Sequence, residues 1–207
     1  MANLEIGIVD YKMGNIASLR NSLEKIGAKA KIITRADEVA ACDKLILPGV
    51  GAFNDAAEHL AEGALDEAVK AYVKSGKYLF GVCLGMQLLF ERSEESRGAH
   101  GLSLIPGEVV HFRSGDKSEH LKIPHMGWNR MELVKEDPVF AGLDKQFYLY
   151  FVHSYHVKCD KQYVLGETEY GERFVSAVRR ENVYGLQPHP EKSHDTGLKI
   201  LKNFVEL

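Results

Sequence analysis

Gly81-Val82-Cys83-Leu84-Gly85 places a cysteine between two glycines, directly after the apolar run Tyr78-Leu79-Phe80. A strand, a sharp turn and a helix account for the pattern, and the spacing is that of a nucleophile elbow with a thiol in place of the hydroxyl. The turn is so tight that small residues must flank the nucleophile for it to stand clear of the backbone. It aims the sulfur into a cleft, and a helix N-terminus behind it favours the thiolate, the nucleophilic form of cysteine. Taken alone, the pentapeptide also suits a small buried residue at a strand end.

A thiol nucleophile needs a base. Gln187-Pro188-His189-Pro190-Glu191-Lys192-Ser193, near the other end of the chain, supplies an imidazole with a carboxylate two residues on. His189 can take the Cys83 proton on one ring nitrogen while Glu191 accepts from the other. The two prolines stiffen that geometry. By itself, His-Pro-Glu also reads as a solvated loop before a helix, so its weight depends on what brings it to Cys83.

The elements that must do so follow from the hydrophobic pattern. Residues 4–9, 30–34, 44–47 and 77–82 are short apolar runs suited to parallel strands buried on both faces. Between them, Ile16, Leu19, Leu23 and Ile26 recur at helical spacing before Gly27, a short helix is expected near 36–41, and a single helix from Phe53 to about Lys74. Strands alternating with helices imply an α/β fold, a doubly wound, mostly parallel sheet with helices on both faces. Ligands bind such sheets outside the carboxyl ends of the strands, where the turn at 10–15, the Pro48-Gly49-Val50-Gly51 loop and Cys83 all fall.

A short helix is expected at 87–91, and the polar run 92–96 reads as its solvated end. From Gly101 the pattern changes to short β-like segments at 107–112, 129–133, 147–157, 163–169 and 174–179, an appended antiparallel region. The polar stretch 113–119 reads as a mobile loop. Residues 183–187 form a last strand that delivers His189, and Gly197, Ile200, Leu201 and Phe204 line one face of a closing helix. Cys83 and His189 thus each end a strand feeding the same sheet edge.

The 207 residues, 45% of them hydrophobic, suit one domain spanning 1–207 with an ample core. Twenty-nine acidic against 26 basic residues leave a net charge of -3, which gives no global field for nucleic acid or an anionic membrane. The first residues carry no export pattern and no apolar stretch reaches spanning length, so a cytoplasmic protein is expected. Cys42, Cys83 and Cys159, odd in number and widely spaced, match neither a disulfide framework nor a zinc motif. His153 and His156 are expected on opposite faces of one strand, where they could not share a metal. The glycines near Val50 lack the Lys-Ser/Thr of a phosphate loop, and 10–15 lacks a dinucleotide fingerprint. No metal and no cofactor is called for.

The elbow continued as Cys83-Leu84-Gly85-Met86-Gln87, the Pro48-Gly49-Val50-Gly51 loop and His189-Pro190-Glu191 together resemble the triad-type class I glutamine amidotransferases. Pro124-His125-Met126-Gly127-Trp128-Asn129, Tyr150-Phe151-Val152-His153-Ser154-Tyr155 and His189-Pro190-Glu191-Lys192-Ser193 resemble, more narrowly, the glutaminase subunits of imidazole glycerol phosphate synthases. The resemblance runs from Ile6 to about Phe204 and departs at Pro188, where that family usually carries an aromatic residue.

The resemblance implies that Cys83 attacks the carboxamide of glutamine. The oxyanion is received by the N–H of Leu84, which follows the elbow nucleophile, and by that of Val50, once the Gly49–Val50 peptide has reoriented. Gly49, Gly51, Gln87, Ser154 and Tyr155 then contact the substrate, and Asn15, Trp128 and Lys192 match positions at the interface with a (β/α)8-barrel cyclase partner. Free ammonia is mostly protonated in neutral water, so such a glutaminase needs a partner that takes it over by a sheltered route. Two other readings stand beside this one: a glutaminase serving a different synthase, for example in surface-sugar amidotransfer, and a catalytically silent regulatory subunit.

Overall fold

The apolar run Glu5–Val9 forms β1, buried from its second residue on. Helix α1 (Ile16–Lys25) follows with Leu19 and Leu23 turned inward, then β2 (Lys29–Ile33), the short α2 (Ala36–Val39) and the fully buried β3 (Lys44–Leu47). The molecule is described by a computed structural model over residues 4–112 and 121–207. The stretch 113–119, expected to be a mobile loop, lies outside the described residues.

The single helix expected to run to Lys74 is two, α3 (Phe53–Glu62) and α4 (Leu65–Lys74), separated at Ala64 with φ 53°. The reason is phase. Phe53, Ala56 and Leu60 are buried at spacings of three and four, as are Leu65, Val69 and Tyr72, but the step of five from Leu60 to Leu65 would swing the second stripe away from the core of one continuous helix.

Strand β4 (Leu79–Val82) ends at Cys83, and α5 is the single turn Leu84–Gln87 directly behind it, not the expected helix at 87–91. Leu88, Leu89 and Phe90 are all fully buried, a pattern that no one-sided helix provides. The polar run 92–96 is likewise no helix end. It contributes β5 (Arg92–Ser93) and the start of β6 (Ser96–His100), a charged hairpin at the far edge of the sheet, where charge blunts unwanted pairing.

Strands β7 (Gly107–His111) and β8 (His125–Leu133) come next. The segment expected at 147–157 is broken at Ser154 into β9 (Gln146–His153) and β10 (Tyr155–Cys159), because the two halves join different neighbours: β9 pairs with β8, whereas β10 pairs with β7 and β12. Strands β11 (Val164–Tyr170), β12 (Glu172–Arg180) and β13 (Val183–Leu186) and helix α6 (His194–Glu206) complete the chain.

The main sheet runs β2-β1-β3-β4-β13-β12-β10-β7-β5-β6. Its first five strands are parallel, β12 turns the pairing antiparallel, and β11, β8 and β9 extend from β12 as an antiparallel branch. Helices α1 and α6 cover one face through Leu19, Leu23, Ile200, Leu201 and Phe204, while α3 and α4 cover the other through Phe53, Leu60, Leu65 and Val69. Each such side chain, fully buried, contributes about 1.5–3 kcal/mol. The doubly wound core with its appended antiparallel region is the fold class expected from the sequence.

Candidate active site

Cys83 sits between β4 and α5 with φ 54° and ψ -114°, a conformation costly for any residue but glycine. Its flanking glycines are sterically required. A Cβ on Gly81 would stand 2.6 Å from the Gly85 carbonyl oxygen, and one on Gly85 would overlap the Leu47 carbonyl oxygen. The α5 dipole is that of a single turn, shorter than the sequence pattern suggests, so the positive charge facing the sulfur must come chiefly from elsewhere.

It comes from the neighbouring strand. Val82 pairs with Leu186 in the parallel β4–β13 ladder, and the Cys83 N–H donates to the Leu186 carbonyl at 2.8 Å. Three residues beyond Leu186, the His189 N–H donates to the Tyr150 carbonyl at 2.9 Å. Ser193 clamps the same turn, its Oγ donating to the His189 carbonyl at 2.6 Å and accepting from the Tyr150 N–H at 3.0 Å. His189 Nδ1 meets Glu191 Oε1 at 2.8 Å, with both side chains almost fully buried. The carboxylate only accepts, so Nδ1 carries a proton, and the buried Nε2 is the nitrogen left for Cys83.

Burial works against an imidazolium there, but the charge and hydrogen bonding of the Cys83 thiolate, with Glu191 behind, outweigh it and raise His189 to about 10. A histidinium facing Cys83 is the electrostatic setting in which a cysteine reacts as its thiolate. Tyr11 lies nearby, raised by burial and then by the Cys83 charge, so it stays neutral, and its hydroxyl donates a hydrogen bond to the Pro48 carbonyl at 2.7 Å.

A cavity of about 370 Å³ opens above Cys83, lined by Val50, Gly51, Leu84, Gln87, Glu95, Pro124, Val152, His153, Ser154 and Tyr155. Of the residues named from the sequence as substrate contacts, Gly51, Gln87, Ser154 and Tyr155 line it. Gly49 lies instead in a small cavity on the far side of the loop, with Asn15, His189 and Glu191. Both hydrogens of the Gln87 amide are used within the wall, on the Tyr155 carbonyl at 3.1 Å and Gln187 Oε1 at 3.0 Å, so only its oxygen remains to offer a ligand.

The two backbone donors named for an oxyanion are both engaged. The Leu84 N–H donates to the Gly49 carbonyl at 3.3 Å, and the Val50 N–H to the Met13 carbonyl at 3.1 Å. The Gly49 carbonyl and the Val50 N–H belong to one peptide plane.

Three residues at the site escaped the reading of the sequence. Glu95, in the run taken as a solvated helix end, lines the cavity and accepts from the Phe53 N–H at 2.8 Å. Gln187 is fully buried and its Nε2 lies 3.7 Å from the Cys83 sulfur. Tyr11 is the third. Gln187, the last residue of an apolar run that ends beside His189, was the only one of them with a sequence signal.

His153 and His156 are not on opposite faces as expected. The break at Ser154 turns both rings into one aromatic cluster, 5.2 and 4.7 Å from Phe112. Among the described residues no three His, Cys, Asp or Glu side chains gather as a metal site.

Asn15, Trp128 and Lys192, the residues named for a partner interface, lie just before α1, on β8 and in the turn after His189. Trp128 is 46% exposed and stacks flat on His194, with 5.1 Å between ring centroids. Lys192 lies over the Tyr150 ring, and Asn15 reaches the small cavity behind His189. Trp128 pairs with Tyr150 across β8 and β9, and the exposed Met126 and Tyr148 extend the same outward face.

The family model for class-I glutamine amidotransferases matches residues 7–207. The chain is 56% identical over 202 residues to the imidazole glycerol phosphate synthase subunit HisH of Sulfurimonas denitrificans, covering 97% of each chain. It is 54% identical over 203 residues to the subunit of the same name from Wolinella succinogenes, covering 98% of this chain and 99% of that one. Among solved structures, PurLQS from Thermotoga maritima superposes with a TM-score of 0.78 at 19% identity, over 99% of this chain and 98% of that one, a likeness of fold.

Proposed function

For this chain, which belongs to the class-I glutamine amidotransferases and within them to the family of the imidazole glycerol phosphate synthase subunit HisH, we propose that Cys83, His189 and Glu191 form the catalytic triad, within a single amidotransferase domain spanning 1–207. The chain is a glutamine amidotransferase subunit, releasing glutamate and ammonia for histidine biosynthesis. The observation that carries the triad is the buried His189–Glu191 pair, whose second ring nitrogen, Nε2, is turned to Cys83 beneath an open cavity.

The Cys83 thiolate attacks the side-chain carboxamide of glutamine. His189, already protonated at Nε2, hands that proton to the leaving ammonia, then takes one from the water that hydrolyses the thioester. Glu191 remains ionised and keeps Nδ1–H in place. The Glu95 carboxylate suits the substrate's α-ammonium, with the Gln87 oxygen beside it, while Gly51, Ser154 and Tyr155 enclose the amino-acid end and Gly49 supplies the mobile peptide.

In the resting loop the Gly49 carbonyl occupies the Leu84 donor, and Val50 points its own N–H at Met13. One rotation of the Gly49–Val50 peptide removes that carbonyl and turns the Val50 N–H inward, so a single movement supplies both oxyanion donors. Such a loop keeps glutaminase activity low until something turns the peptide.

Ammonia released into neutral water would be protonated and lost as a nucleophile, so the product must pass directly to an acceptor. The partner is a (β/α)8-barrel cyclase docked on the outward face of β8 and β9, with Trp128, Lys192 and Asn15 at the contact. The pair works in the cytoplasm, a setting that suits three free cysteines.

The test is glutamate release from glutamine by the purified chain, alone and with a cyclase partner and an acceptor analogue. Strong stimulation by the partner is expected. In Cys83→Ala, release should vanish while partner binding persists; unchanged turnover would sink the triad.

A further inference from the structure

At the cavity wall, strand register brings two histidines together, His153 lining the cavity and His125 beside it. His125 opens β8 and pairs with His153 at the end of β9, and their rings meet with Nδ1 of His125 3.0 Å from Nε2 of His153. Both residues are buried. We propose that His125 and His153 are positioning residues that hold the Ser154–Tyr155 wall of the glutamine pocket through a hydrogen-bond chain with only one possible direction, a role that rests on the glutaminase reading of that pocket.

The direction is fixed from both ends. His153 Nδ1 lies 2.7 Å from the Tyr155 carbonyl, which can only accept, so the hydrogen of His153 is on Nδ1 and Nε2 is an acceptor. His125 must then donate from Nδ1, which leaves its own Nε2 as acceptor. There, at 3.1 Å, stands the Asn129 amide nitrogen. Its orientation is set independently by backbone groups, since Asn129 Oδ1 accepts from the Arg130 N–H at 2.7 Å and Nδ2 donates to the Glu169 carbonyl at 3.0 Å. Asn129 to His125 to His153 to Tyr155 is therefore a chain in which every donor faces an acceptor.

A second proton on His153 would place N–H against the Nδ1 of His125, reverse that ring's tautomer and set N–H against the Asn129 amide. The chain thus requires both rings neutral. Burial pushes His125 down to about 4. His153 is held well below its ordinary range, first by burial and then by neighbouring histidines, against the pull of the Tyr155 carbonyl. The titratable groups around the pair are His156, with Glu172 3.3 Å from it, Tyr170 stacked on His125, and His189.

The chain ends on the substrate wall. The carbonyl that receives the His153 proton is the one that also accepts from Gln87, and Gln87 in turn donates to Gln187, whose amide reaches the Cys83 sulfur. Ser154 and Tyr155 line the cavity on this support. If His153 took the other tautomer, a bare Nδ1 lone pair would face the Tyr155 carbonyl and the turn would open away from Gln87.

The test uses the full chain and follows alkylation of Cys83 by iodoacetamide through the mass of its peptide, with and without glutamine. His125→Phe keeps a ring between Phe151 and Tyr170, where His125 is stacked at 4.8 and 4.0 Å, but has no donor for His153. In that variant the half-protecting glutamine concentration should rise about tenfold, the effect of one lost buried hydrogen bond, while the rate without glutamine stays within about twofold. His125→Asn packs worse but puts an amide N–H where Nδ1–H was, and should return half-protection to within about threefold of wild type. The reverse order, or equal loss in both, makes the pair a packing element and overturns the proposal. Imidazole nitrogen NMR shifts of the wild type need no variant: both rings protonated at Nδ1 alone is expected, and Nε2–H or a doubly protonated ring near neutral pH overturns it. Failure of glutamine to protect wild-type Cys83 would instead remove the glutamine-pocket reading, while the shifts still decide the tautomers.

Discussion

The Gly49 carbonyl accepts the Leu84 N–H at 3.3 Å, so the donor directly after Cys83 is engaged by the very peptide whose other end, the Val50 N–H, is proposed as the second oxyanion donor. In the proposed mechanism, rest and activity differ by the rotation of one peptide plane. Val50→Pro keeps Gly49 and its carbonyl but has no N–H to turn inward. Partner-stimulated glutamate release in this variant is expected to fall on the order of 10²–10³-fold. Protection of Cys83 by glutamine should be retained, which steady-state rates and alkylation measured side by side will check.

His189, raised against burial first by Cys83 and then by Glu191, makes stability depend on pH with a defined sign. An ordinary imidazole titrates near 6.5 and His189 is raised to about 10, so the stabilisation is fully present below about pH 6.5 and is lost as pH rises through 10. Glu191→Gln keeps an acceptor for Nδ1–H and removes the charge. Thermal melts should show it destabilised by about 1–2 kcal/mol near pH 6 and by less than half of that near pH 10.5. Its turnover is expected to fall on the order of 10²–10⁴-fold, as when the carboxylate that orients a catalytic histidine is neutralised.

Glu95 holds the N-terminal N–H of α3 through one carboxylate oxygen while it lines the cavity. Glu95→Gln preserves that acceptor and removes the negative charge proposed to meet the substrate's α-ammonium. The KM for glutamine should rise about tenfold with kcat within about threefold, the loss of one charge-assisted contact made equally in ground and transition states. A fall in kcat with unchanged KM would move Glu95 out of the binding role.

Lys44 is a buried lysine with a structural task far from the cavity. Its Nζ donates to the carbonyls of Phe204 and Val205, each at 2.9 Å, capping the last turn of α6, and the same ammonium lies over the Tyr78 and Phe204 rings. Lys44→Met retains the stem and removes the cap. Denaturant unfolding should give a loss of about 1–2 kcal/mol, and glutaminase activity per folded molecule should be unchanged.

The sequence alone determined those features whose cause is local or lies in burial on both faces of a strand. β1, β3 and β4 read as parallel core strands because every neighbour they meet is apolar, and that alternation with helices leaves one architecture. Gly81 and Gly85 marked the elbow because no other residue fits so close to the Gly85 and Leu47 carbonyls. Cys83 and His189 could be named together because each follows a strand whose direction the parallel pattern fixes.

What the tertiary structure decided is everything that depends on register and on phase between elements. The step from Leu60 to Leu65 breaks a helix that propensity would continue, and Ser154 breaks a strand because its two halves have different partners. Glu95 looked like solvent-facing charge until β5 and β6 folded it over the Phe53 N–H. His125 and His153 stand 28 positions apart, and nothing in either segment says that their rings touch. Which nitrogen carries each proton is set by the Tyr155 carbonyl and the Asn129 amide at the ends of the chain, so the tautomers exist as a property only once four separate backbone positions have been brought within hydrogen-bond distance.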